Sequence, residues 1–153
     1  MQYINIIDYI LLPVYLYIFY LIVRRRSVNY ADADLRKIML IAFLLRMLGS
    51  VGYSLMVQYY YGYGDTFTFY YGSNFLRDHV LQNTDNIKYF FSSAADFKNW
   101  FDMEVGDINY SGYFGVASNL FVMKISAVVS FLSFNCFLII SVIFGFFSFN
   151  SHP

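Results

Sequence analysis

One carboxylate stands in the stretch QYYYGYGDTFTFYYGSN, residues 58–74, among aromatic, glycine and uncharged polar side chains. Glycines at 62 and 64 let the backbone turn tightly and let a ligand approach Asp65. An acid so placed suits two kinds of chemistry. It can serve as general base toward an acceptor hydroxyl, or it can hold a divalent cation together with a second acid, for which Asp102, Glu104 and Asp107 are the candidates. The plainer alternative is a structural one, in which Asp65 caps a helix beginning at Thr66.

Arg46 is the second unusual residue, because it falls near the middle of an apolar run. A guanidinium at such a position costs at least about 2.5 kcal/mol and normally faces a bundle interior, a cavity or an anionic ligand. A lipid-linked phosphate is one such ligand; snorkelling, or pairing with an acid on another helix, is the alternative. His79 has no second ligand four residues on and reads as a solvated surface residue. The sequence contains no GxxxxGK phosphate loop, no GxSxG elbow and no dinucleotide fingerprint.

The elements that must position these residues are read from composition. Hydrophobic residues make up 59% of the 153 and charged residues only 13%, against about a quarter charged in an average soluble domain. Mean hydropathy is +0.50, and the chain reads as an all-α, polytopic integral membrane protein with about three transmembrane helices. The formal net charge is zero, and one short basic cluster makes no basic face, which argues against nucleic acid as a partner. Cys136 sits in an apolar run as the single cysteine, so it can form no internal disulfide and reads as a small hydrophobe.

Spans are expected at about residues 6–23, 38–57 and 135–150. The first is broken only by Asp8 and Pro13, and it has neither the leading positive region nor the cleavage site of a signal peptide. Arg24, Arg25, Arg26, Arg36 and Lys37 all lie between the first two spans, with Asp32 and Asp34 as candidate caps of the second. The positive flank places that loop in the cytoplasm and the N-terminus outside, in an inner (cytoplasmic) membrane. An outer loop of about residues 58–116 follows, periplasmic or extracellular. Its tyrosines suit the headgroup region. Two amphipathic interfacial helices are expected in it: one after Asp65 with Phe67, Tyr70, Tyr71 and Phe75 along a face, and one capped by Ser93 and Asp96 with Phe97, Trp100 and Phe101. Turn-rich connections separate and follow them. Residues 117–132 read as an interfacial or re-entrant helix, and the whole as a single membrane domain, expected to be the N-terminal portion of a longer chain.

The outer loop that leaves a membrane helix through aromatics, presents the acid of YGYGDTFTFYYGS and continues in two interfacial helices resembles the polytopic C-type glycosyltransferases (the GT-C superfamily), in particular envelope proteins of Bacteroidetes-type bacteria. It also looks like the envelope polysaccharide polymerases, which often carry a glycine-aspartate-tyrosine cluster in an outer loop. The likeness covers roughly residues 58–100. It implies a polyprenyl-phosphate-linked sugar as donor and Asp65 as base or metal-holding acid. Such enzymes usually carry the acid after the first helix and have many more spans, whereas here it follows the second of three.

These readings together give an expected function: the N-terminal part of a membrane glycosyltransferase of cell-envelope polysaccharide assembly, with Asp65 catalytic, Arg46 on the lipid-linked phosphate and Tyr70 and Tyr71 on the acceptor. A divalent cation is the candidate cofactor, and membrane lipid the expected surroundings. The alternative is a small non-enzymatic membrane subunit or scaffold whose outer loop binds a partner protein or lipid.

Overall fold

The computed structural model describes residues 3–62, 64–106 and 112–151. Among them every regular element is a helix. The chain divides into two compact units: residues 1–62 with 136–153, and residues 63–135.

The first unit holds α1 (Ile6–Ser27), α2 (Ala33–Met56) and the last helix of the chain, Phe137–Asn150. α2 takes Asp32 as its N-cap, one of the two caps expected for it, and α1 takes Asn5. The Asn5 N–H donates to the Asp8 carboxylate at 2.9 Å, and the Asp32 carboxylate accepts the Asp34 N–H at 2.8 Å. α2 continues through a wider turn, Val57–Tyr61, which Gly62 closes at φ 68 by donating its N–H to the Val57 carbonyl. The combined helix Ala33–Tyr61 has 29 residues and runs about 44 Å, longer than a hydrocarbon core of about 30 Å. It is therefore longer than the expected span at residues 38–57, because neither the charged first turn nor the tyrosines at the far end interrupt helical hydrogen bonding.

Among the described residues two helices, Ile6–Ser27 and Ala33–Tyr61, are long and apolar enough to cross a membrane by length and composition. Among them Ala117–Leu132 and Phe137–Asn150 pass the same test only when taken together as one interrupted span. The last helix has 14 residues and measures about 21 Å, short of a full crossing. The outward faces of α1 and α2 are apolar: Ile10 is 63% exposed, Leu45 65% and Leu48 68%. Exposed apolar faces of this extent fit helices surrounded by lipid.

Inside this unit Val23, Phe43, Met47 and Val142 form a core, with the Phe19 and Phe146 rings stacked 4.1 Å apart. Between helices in lipid the attraction is close van der Waals packing, so small residues matter at crossings. Gly145 shows this: a Cβ there would lie 2.1 Å from Ser50 Oγ and 3.1 Å from Ser50 Cβ. Asp8, which interrupts the apolar run of α1, is almost wholly buried, and its Oδ1 accepts the Leu138 N–H at 2.8 Å. Cys136 is buried too and forms no disulfide.

The second unit contains α3 (Asp65–Gln82), a 3₁₀ segment (Thr84–Phe90), α4 (Ala94–Val105) and α5 (Ala117–Leu132); the helix Phe137–Asn150 is α6. Ser93 caps α4 as its spacing predicts, accepting the Asp96 N–H at 3.2 Å while its hydroxyl donates to the Asp96 carboxylate at 2.7 Å. The stretch after α3 is a 3₁₀ helix rather than a plain turn, started by Asn83, whose side chain accepts the Asp85 N–H. The apolar stripes of α3 and α4 do not face outward. Leu76, Phe97, Trp100, Phe101, Phe114, Leu120, Met123 and Ala127 close on one another in a shared core, and the Tyr89 and Trp100 rings stack 3.9 Å apart. Packing the two stripes together buries more apolar surface than leaving each at an interface, at about 25 cal/mol per Å². Gly72 makes this possible, since a Cβ there would fall 2.4 Å from Phe114 Cζ and 2.9 Å from Met123 Cγ.

Candidate functional site

α3 starts one residue earlier than the cap reading expects. Gly64, at φ 127, is the N-cap, and Asp65 is the first helical residue. That backbone conformation is accessible to glycine and strained for any residue with a Cβ. The Asp65 carboxylate is therefore not the cap of α3; the Gly64 carbonyl accepts the Phe67 and Thr68 N–H groups instead. Asp65 is exposed, in the first turn of a helix, where the positive end of the macrodipole favours a negative charge.

Its partner is Tyr113, whose phenol donates to the Asp65 carboxylate. Burial raises the Tyr113 pKa above the usual tyrosine value, and the charge and hydrogen bond of Asp65 raise it further. The phenol thus stays a donor. The ring is held edge-on to Phe69 at 5.4 Å and to Phe114 at 5.9 Å, and its carbonyl accepts Asn119 Nδ2 at 3.2 Å. A carboxylate that accepts from one phenol keeps acceptor positions for a second hydroxyl. Tyr113 lies 48 residues from Asp65 in what reads as a turn-rich connection, and no spacing rule links the two.

The tyrosines proposed for the acceptor groove differ in setting. Tyr70 is buried, and its hydroxyl donates to the Asn135 carbonyl at 2.8 Å, so it serves the core of the unit. Tyr71 is half-buried, with its ring edge against Phe101 at 6.3 Å. His79 is not a solvated residue. Its Nδ1 donates to the Phe75 carbonyl at 2.8 Å, its ring lies against Phe75 and Trp100, and Nε2 is 4.0 Å from the Glu104 carboxylate.

The acids considered as second metal ligands are placed on α4 or lie outside the described residues. Asp102 accepts Lys98 Nζ at 3.1 Å, Glu104 faces His79, and Asp107 is outside the described residues. Among the described residues no group of three or more His, Cys, Asp or Glu side chains could hold a metal ion. The second unit also carries an apolar groove of about 440 Å³, lined by Ile87, Phe90, Phe91, Phe121 and Val128, with Lys124 at its wall. The Lys124 ammonium donates to the Ser92 carbonyl at 2.7 Å.

Arg46 belongs to the first unit and donates to the Ser148 hydroxyl of α6. It shares a pocket of about 370 Å³ with Arg26, Tyr30 and Phe149. The structure therefore groups Asp65, Tyr70 and Tyr71 in one unit and Arg46 in the other. No family model, no curated protein and no solved structure matches the chain.

Proposed function

We propose that the chain is part of a membrane glycosyltransferase of cell-envelope polysaccharide assembly, in which Asp65 is the general base. The observation that supports this reading is the exposed Asp65 carboxylate held by the Tyr113 phenol at the start of α3. In the reaction the acceptor hydroxyl gives its proton to Asp65 as its oxygen bonds to the anomeric carbon. The bond from that carbon to the phosphate oxygen of a polyprenyl-phosphate-linked sugar breaks, and the polyprenyl phosphate leaves with the electron pair. Tyr113 keeps the carboxylate in place and Tyr71 borders the acceptor side. Arg24, Arg25 and Arg26 in the last turn of α1, with Arg36 and Lys37 near the start of α2, favour a cytoplasmic position for the connection between the two helices, which would leave the N-terminus and Asp65 on the outer face of the inner membrane.

The test is Asp65→Asn in the native gene, with surface glycan and protein level both measured. Removing a general base costs about 10²- to 10⁴-fold in rate, so glycan should fall to background at unchanged protein level. Undiminished glycan would overturn the catalytic role.

The apolar groove of the second unit favours a second reading, a non-enzymatic membrane subunit that holds lipid or a partner protein there. Phe91 is 87% exposed at its edge, and contiguous exposed apolar surface marks such contacts. Under this reading Phe91→Ser abolishes function and Asp65→Asn does not.

A further inference from the structure

Two guanidinium groups converge on a single pocket in the first unit. Arg26, in the last turn of α1, donates Nη1 to Asn150 Oδ1 at 2.9 Å, and Arg46, within α2, donates Nη2 to the Ser148 hydroxyl. Both acceptors are neutral and both belong to the end of α6. Among the described residues neither arginine is within ion-pair distance of a carboxylate; the ion pairs there involve Arg77, His79 and Lys98. Two positive charges thus line about 370 Å³ of space with no counter-charge among the described residues.

A guanidinium has five N–H donors in a planar fork. Each of these two uses one hydrogen bond on an α6 side chain that fixes its direction, and the remaining donors match the oxygens of a phosphate. The other walls are Tyr30, Met39, Ala42 and Phe149, which offer one hydroxyl and otherwise apolar surface. Leu45, which lines a neighbouring pocket together with Arg46 and Ser148, is 65% exposed. The charged pocket therefore adjoins an apolar outer face, and its natural occupant has an anionic head and an apolar tail. Arg24 and Arg25 precede Arg26 in the same helical turn, and basic clusters at the end of a membrane helix attract anionic lipid.

We infer that the pocket between Arg26 and Arg46 binds the phosphate headgroup of an anionic membrane phospholipid. The site is independent of glycosyl transfer at Asp65: it lies in the other unit and uses none of the same residues. Its lipid orders α1, α2 and α6 around one phosphate.

The full chain, purified in detergent, is offered equal amounts of phosphatidylglycerol and phosphatidylcholine, and the lipid retained is counted by native mass spectrometry. The wild type should retain phosphatidylglycerol about tenfold or more over phosphatidylcholine, Arg26→Gln and Arg46→Gln should each bring the ratio toward one, and Arg46→Lys should keep part of it. Equal retention of the two lipids by the wild type overturns the proposal, as does full phosphatidylglycerol preference in both glutamine variants. The wild-type comparison stands even where a variant fails to fold. A further arm adds millimolar inorganic phosphate. Unchanged lipid preference supports a lipid site, whereas loss of the preference shows a site for soluble anions and overturns the lipid assignment.

Discussion

The carboxylate of Asp8 accepts the backbone N–H of Leu138 at 2.8 Å, across 130 residues of chain. Its other oxygen accepts the Asn5 N–H at 2.9 Å. A single buried acid in the first turn of α1 thus also satisfies a donor in the first turn of α6. The first N–H groups of a helix have no partner within it, and both helix ends carry partial positive charge. Asp8 answers both needs at once, which explains an acid at the edge of an otherwise apolar segment.

Replacement of Asp8 by Ala leaves two backbone donors without their acceptor. The Leu138 N–H is buried and an unsatisfied buried donor costs about 1–3 kcal/mol, so unfolding in mixed micelles should show the first unit destabilised by about that amount. Asp8→Asn retains one acceptor oxygen and should lose less. Faster amide exchange at Leu138, with α3 and α4 unaffected, would locate the effect at the start of α6.

Gly145→Leu should disrupt the crossing of α2 and α6, because even a Cβ meets Ser50 at 2.1 Å. Overpacking of this kind costs about 1–3 kcal/mol. A Cβ added at Gly49, one residue before Ser50, would meet nothing within 4 Å, so Gly49→Ala should leave thermal stability unchanged or slightly raised. Equal effects of the two substitutions would contradict the close approach at Gly145.

In the second unit, Gly72→Ala should push the Phe114 ring away from α3, since the added carbon would sit 2.4 Å from Phe114 Cζ. Phe114 is fully buried and its neighbour Tyr113 carries the contact with Asp65. The near-ultraviolet circular dichroism of the full chain should lose aromatic signal, and surface glycan should fall along with it.

Tyr113 gives a pH signature. Its folded-state pKa is raised above 10.0, first by burial and then by Asp65. The protonated phenol therefore favours the folded state; this contribution is complete below pH 10 and is lost as pH rises through the folded-state value. In a difference titration of wild type against Tyr113→Phe, the phenolate absorbance belonging to Tyr113 should emerge above pH 10. Asp65→Asn should bring it back toward 10 only in part, because burial remains. An unshifted titration would remove the Asp65–Tyr113 contact from the site.

Tyr113→Phe itself keeps the ring and removes the hydroxyl. Glycan synthesis should fall by less than in Asp65→Asn, since the base is retained while its position loosens. A larger loss than that of Asp65→Asn would make the phenol, and not the carboxylate, the reacting group.

Sequence by itself determined what depends on near neighbours. The apolar runs of α1 and α2 and the arginines at the end of α1 were legible because hydropathy and charge need no fold to be read. The Asp32 and Ser93 caps were legible because each bonds a backbone N–H two or three residues on. Asp65 stood out by composition alone. Tertiary structure decided the rest: Tyr113 as its partner, Tyr70 buried, His79 packed against Phe75 and Trp100, Asp8 serving α6, and Arg46 facing the pocket of Arg26. The apolar stripes of α3 and α4 have the same helical period whether they meet lipid or each other, so periodicity could not choose between these. Chain closure over tens of residues made that choice, through contacts such as Gly72 on Phe114 that no local pattern encodes.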